Sequence, residues 1–158
     1  MISSPEKIHV VSEGSQGRTM TATFAENYPL NILIAEDNSV NQILIERILR
    51  KLGYHTETAS DGVRALNFLD KKEYNVILMD VRMPLMDGFE ATQAIRQMSI
   101  QQPYIIAMTA NAMSSDRDEC INIGMNDYIS KPIHMEEIIE KLKIAADYCS
   151  GKNKNIIV

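Results

Sequence analysis

The stretch NVILMDVRMPLMDG, Asn75 to Gly88, decides how this chain folds. Val76 to Met79 is an unbroken apolar run without polar alternation, the pattern of a strand covered on both faces. The run ends in an acid, Asp80, after which Pro84 and Gly88 favour a turn over more strand. A core strand that pushes a carboxylate out of its tip calls for a chemical reason.

The same punctuation recurs on both sides. Asn31–Ala35 (NILIA) reads as a buried strand, and Asn38 or Ser39 can cap a helix that runs to about Leu52 and stops at Gly53. Val40, Ile43, Leu44 and Ile48 are expected to form its apolar face. Tyr54–Ala59 (YHTETA) reads as a weaker strand, before a helix from about Gly62 with Asp61 as its cap. Past the central strand, a helix is expected over roughly residues 88–98. Tyr104–Thr109 (YIIAMT) is the fourth strand, followed by a helix over 115–123, and Asp127–Ser130 (DYIS) is a short fifth. A last helix carries Met135, Ile138, Ile139, Leu142 and Ala146 at helical spacing. Strands alternating with helices five times predict an α/β fold, a parallel sheet with helices on both faces.

With 158 residues, 45% hydrophobic and 23% charged, the chain suits one compact domain with short tails. Residues 1–29 mix Ser, Gly, Thr and charge without a period and read as a flexible lead-in. Residues 30–146 read as the domain and 147–158 as a tail. A net charge of −5 lacks the footprint of a nucleic-acid binder. Cys120 and Cys149 form no CxxC pair and read as reduced thiols. The methionines read as core filler, with Met79 and Met108 buried inside strands. No apolar run reaches the length of a membrane span, and the N-terminus lacks a signal-peptide core. A cytoplasmic setting without membrane contact is therefore expected for this stretch, alone or as the cytoplasmic part of a membrane-bound protein.

In open parallel sheets, sites form beyond the carboxyl ends of the strands. Those positions hold Glu36 and Asp37, Asp80, Thr109 and Lys131. Each has a plain alternative: a helix-start acid, a β-forming threonine, a solvated lysine. Their convergence on one end of the sheet argues for a site. Two carboxylates about 4 Å apart repel by roughly 4 kcal/mol at an effective dielectric near 20, so three need a cation or a raised pKa. Magnesium binds through carboxylates, retained waters and a phosphate oxygen, while a lysine and a hydroxyl opposite can hold the remaining phosphoryl oxygens. The set fits phosphoryl transfer onto a carboxylate, with Asp80 as a nucleophile oriented by its strand.

From about Leu30 to Leu142 the chain resembles a receiver domain of two-component and phosphorelay signalling. The matching segments are ILIAEDN, VILMDVRMPLMDG, IIAMTANAM and CINIGMNDYISKPI. AEDNSVNQ, MPLMDGFEAT and the GMNDYISKPI ending are most similar to receivers fused to hybrid sensor histidine kinases. The resemblance implies a flavodoxin-like (βα)5 three-layer sandwich with strand order 2-1-3-4-5. It implies that Asp80 accepts a phosphoryl group from the phosphohistidine of a histidine kinase or a histidine phosphotransfer domain, the domain catalysing only its own phosphorylation and slow dephosphorylation. Asp37 and Asp80 would ligate Mg²⁺ directly, Glu36 through water, and the Arg82 backbone carbonyl would complete the protein ligands. Lys131 and Thr109 would hold phosphoryl oxygens, Tyr128 would turn inward as Thr109 moves, and the bond before Pro132 would be cis. Phosphorylation would then switch the surface made by the fourth helix, fifth strand and fifth helix, which also allows a homodimer.

Some positions depart from the family. Glu36 replaces a frequent aspartate, Arg82 is unusual two residues after the nucleophile, and Asn126 stands where an acid is common, with no role assigned to it. Three other readings compete. An aspartyl-phosphate phosphohydrolase favours a second acid where Arg82 stands. A flavin or nucleotide binder needs a phosphate cradle after the first strand, where Glu36 and Asp37 would repel phosphate. A receiver that only docks does not need the acid, threonine and lysine set.

Overall fold

The computed structural model describes residues 23–110 and 114–151. Its strands are β1 (Ile32–Ala35), β2 (Glu57–Ala59), β3 (Val76–Asp80), β4 (Tyr104–Thr109) and β5 (Asp127–Ser130). A single helical turn, Phe24–Asn27, precedes them. The longer helices are α1 (Ser39–Lys51), α2 (Gly62–Lys71), α3 (Gly88–Arg96), α4 (Ser114–Ile123) and α5 (Met135–Cys149). All pairings are parallel, in the order β2-β1-β3-β4-β5. Every residue of β1, β3 and β4 is buried, which explains why these strands read as continuous apolar runs.

Alternate strand residues feed two cores. Ile32, Ile34, Val76, Leu78, Ile106 and Met108 meet α1 and α5 residues such as Leu49 and Leu142. Leu33, Ala35, Ile77, Met79, Ile105 and Ala107 meet α2, α3 and α4 through Leu69, Ile95 and Cys120. The result is a sheet between two helical layers. Helix starts follow local chemistry: Asn38 caps α1 through Asn41 N at 3.0 Å, Asp61 caps α2, and Asp87 with Glu90 forms a capping box on α3. Gly53, at φ +102°, lets the chain turn after α1.

Two expectations need correction. Of the four residues assigned to the apolar face of α1, only Ile48 is buried. Val40, Ile43 and Leu44 are 70%, 49% and 39% exposed, and the core takes Ile45, Ile48 and Leu49 instead. The helix carries more apolar residues than one stripe needs, so periodicity could not choose the rotation. Packing also begins before residue 30. Phe24 lies in the core with its ring 4.8 Å from Tyr28 and 6.2 Å from Tyr54. The Ala25 amide donates to the Leu52 carbonyl (2.9 Å), and the Tyr54 hydroxyl to the Tyr28 carbonyl (2.6 Å). The rest of the expected lead-in, 1–22, and residues 152–158 of the expected tail lie outside the described residues. Among the described residues, both cysteines are free, and no helix is long and apolar enough to cross a membrane.

Candidate functional site

The parallel register brings the strand ends level. Ala35 pairs with Met79, Asp80 with Met108 and Thr109 with Ser130, so the residues after β1, β3, β4 and β5 open on one cleft. It holds about 360 Å³ and is lined by Glu36, Asp37, Asp80, Arg82, Thr109 and Lys131. Asn38, Asn41, Phe89, Asp116, Glu119 and Cys120 also reach it. Gly88 is required here. Its amide bonds the Val81 carbonyl at 2.8 Å, and a Cβ on it would run into the Asp80 carbonyl oxygen. The start of α3 can therefore press against the end of β3.

Oxygens of Glu36, Asp37 and Asp80 lie within 4.8 Å of one another. Lys131 Nζ stands 3.1 Å from Glu36 Oε1 and 3.2 Å from Asp80 Oδ2. Burial and the neighbouring Glu36 carboxylate push the Asp80 pKa up to about 7, against the pull of Lys131. Burial works against the Lys131 ammonium, but Glu36 and Asp80 outweigh it and its pKa is raised. Glu36 is wholly buried, and its Oε1 has no hydrogen bond of good geometry, only the nearby ammonium. Such a set of hard oxygens, crowded and incompletely satisfied, suits a small divalent cation.

Each sequence-predicted residue can now be placed. The Arg82 amide donates to Asp80 Oδ1 (3.3 Å), and its side chain is exposed at the cleft. The Lys131 amide donates to the Thr109 carbonyl (2.8 Å), and the Lys131–Pro132 bond is cis. Tyr128 stands apart from the cleft lining. It is half-buried, with Lys141 Nζ 5.3 Å and the Arg117 guanidinium 5.8 Å from its ring centre. Leu85 adopts φ +69° in the loop after Asp80, where Met86 N donates to the Pro84 carbonyl at 2.7 Å. Of the MTANAM segment, residues 111–113 lie outside the described residues.

Sequence reasoning missed several contributors. Asn126, to which no role was assigned, accepts from the Ile105 amide (2.7 Å) and from Arg96 Nη2 (2.9 Å). Arg96 also reaches the carbonyls of Gly124 and Pro103 and the Gln102 side chain, tying α3 to the entry of β5. Asn41 and Gln42 both reach Glu36. Their place within AEDNSVNQ was the available signal, but nothing local shows which groups they touch.

The family model for the response regulator receiver domain matches residues 32–143, and the chain belongs to that family. It is 39% identical over 123 residues to the sensor histidine kinase RcsC of Escherichia coli (strain K12). It is 41% identical over 120 residues to hybrid signal transduction histidine kinase B of Dictyostelium discoideum. These matches take in 78% and 68% of this chain but only 13% and 6% of those longer proteins. Among solved structures, the receiver domain of sensor histidine kinase PA1611 from Pseudomonas aeruginosa PAO1 has a magnesium ion coordinated in its active site cleft. The likeness to it has a TM-score of 0.69 at 42% identity, over 74% of this chain and 97% of that one. A co-crystal of the Saccharomyces cerevisiae phosphotransfer protein Ypd1 with the receiver domain of Ssk1 matches at TM-score 0.67 and 30% identity. That match covers 72% of this chain and 86% of that one. The domain is a CheY-like receiver of two-component and phosphorelay signalling, on the flavodoxin-like fold.

Proposed function

We propose that this receiver takes a phosphoryl group from a phosphohistidine onto Asp80, with Mg²⁺ held by Asp37, Asp80, the Arg82 carbonyl and, through water, Glu36. The observation that carries the reading is the meeting of three carboxylates within 4.8 Å, faced by Lys131 at 3.1–3.2 Å. An Asp80 oxygen forms the new P–O bond as the P–N bond to the imidazole breaks. The electron pair leaves on the ring nitrogen, which takes a proton from solvent. Bound Mg²⁺ supplies positive charge against the phosphoryl oxygens. Asp80 is held by its strand for in-line attack. Lys131 leaves its carboxylate partners in part to meet the incoming oxygens, and the Thr109 hydroxyl donates to another.

Phosphorylation shifts a population between two arrangements of α4, β5 and α5, and Tyr128, on β5, turns inward as Thr109 moves. That face is the output surface and the place where a second copy can pair. The donor is a histidine kinase or a histidine phosphotransfer domain, a reading supported by the kinase relatives. We take the chain as the receiver portion of a hybrid histidine kinase, lying in the cytoplasm. Incubation with acetyl phosphate and Mg²⁺ should add one phosphoryl mass to the intact protein, and Asp80→Asn should abolish the adduct. Wild-type protein that stays unmodified would leave a receiver that only docks.

A further inference from the structure

The AEDNSVNQ segment contains more than its two acids. β1 ends at Ala35, and the Glu36 peptide is the first beyond the strand. Its amide is held by the Ala59 carbonyl at 2.9 Å. Its own carbonyl accepts from Gln42 Nε2 at 2.6 Å. The Glu36 carboxylate is steered from the same helix start, because Oε2 accepts from the Asn38 amide at 3.1 Å and lies 3.5 Å from Asn41 Nδ2. The first turn of α1 thus reaches back over the loop that carries Glu36 and Asp37. A carbonyl at a buried residue is costly to leave unbonded, and Glu36 is wholly buried.

We propose that Gln42 is a positioning residue for the cation site. Its amide locks the Glu36 peptide, which sets the direction of the Glu36 carboxylate and the path of the next residue, Asp37. Gln42 is half-buried and is not among the residues lining the cleft, so it acts through Glu36 and not on the metal. The proposal rests on the Mg²⁺ reading above. Partners that orient metal ligands commonly change affinity by about 10–100-fold when lost.

The test is calorimetric Mg²⁺ titration of the full chain, with the metal-free Tm of each variant measured alongside. Gln42→Met keeps the length of the side chain and removes the donor. Gln42→Glu puts an acceptor against the carbonyl while adding a negative charge near the cation. Both should weaken Mg²⁺ binding at least about tenfold, while the metal-free Tm falls only by the few degrees that loss of the carbonyl bond explains. Saturating Mg²⁺ should restore most of the rate of phosphorylation by acetyl phosphate. Charge alone predicts the opposite sign for Gln42→Glu, so tighter binding there overturns the proposal, even if Gln42→Met fails to fold. Asp37→Ala separates the two levels. If it abolishes binding while Gln42→Met binds like wild type, the Gln42 role falls alone. If Asp37→Ala binds Mg²⁺ normally, the acid-site reading falls and takes this proposal with it.

Discussion

Asp61 and Asp80 are the same residue at the same depth, 3% and 5% exposed, and the protein treats them in opposite ways. Asp61 caps α2 and accepts from the Arg64 amide at 2.8 Å and from its guanidinium at 2.6 Å. Those bonds outweigh burial and hold its carboxyl below the usual carboxylate range. Asp80 has a long bond from the Arg82 amide and an ammonium that it shares with Glu36, and burial together with the Glu36 charge raises its pKa to about 7. Burial by itself does not set a carboxylate's behaviour. Committed donors and neighbouring charge decide as well: Asp61 spends its oxygens on Arg64, whereas Asp80 faces the Glu36 carboxylate and shares one ammonium with it.

The largest effect expected from this contrast comes from the cation. Mg²⁺ at a hundredfold excess over its dissociation constant should stabilise the fold by about 2.7 kcal/mol, or about 5–11 °C in Tm at this chain length. Asp37→Ala should remove the rise. A wild-type melt indifferent to Mg²⁺ would mean that the crowding round Asp80 is not a binding device.

Asp61→Ala should come next. Loss of the cap costs about 1 kcal/mol, read as a lower Tm with or without Mg²⁺. Its pKa is lower in the folded than in the unfolded chain, so Asp61 adds stability above its unfolded value near 4. That contribution disappears as pH falls through the lower folded value. Asp61→Asn should therefore flatten the acid limb of a Tm-against-pH curve. An unchanged limb would show that the Arg64 bonds are no stronger than those to water.

The smallest effect is expected from Asp80→Asn in chelator at pH 8. A neutral amide removes a carboxylate held against Glu36 in a buried site, so the metal-free Tm should rise slightly. A fall would mean that Lys131 contributes more to Asp80 than Glu36 takes away.

Much of the site could be read in advance, because the cues are local. Strands buried on both faces announce themselves as apolar runs, and a parallel sheet places function just past their ends. Glu36, Asp37, Asp80, Thr109 and Lys131 were legible on that rule alone. The cis bond before Pro132 was visible through likeness to relatives and not through any pattern of its own. Arg96 and Asn126 were not legible. Besides each other and the Gln102 side chain, they hold the Ile105 amide and the Gly124 and Pro103 carbonyls, backbone groups that every sequence contains.

By itself the chain specified its order of strands and helices, a cap at Asp61, a cap at Asn38 or Ser39, and the acids at its strand tips. Hydrophobic period, capping and turn chemistry all act within a few residues. Only the tertiary structure decided that α1 buries Ile45 and Leu49 while leaving Val40 in water, that Phe24 joins the core, and that Gln42 holds the Glu36 carbonyl. Each of those choices depends on which surface arrives opposite, and that surface exists only once the sheet has assembled.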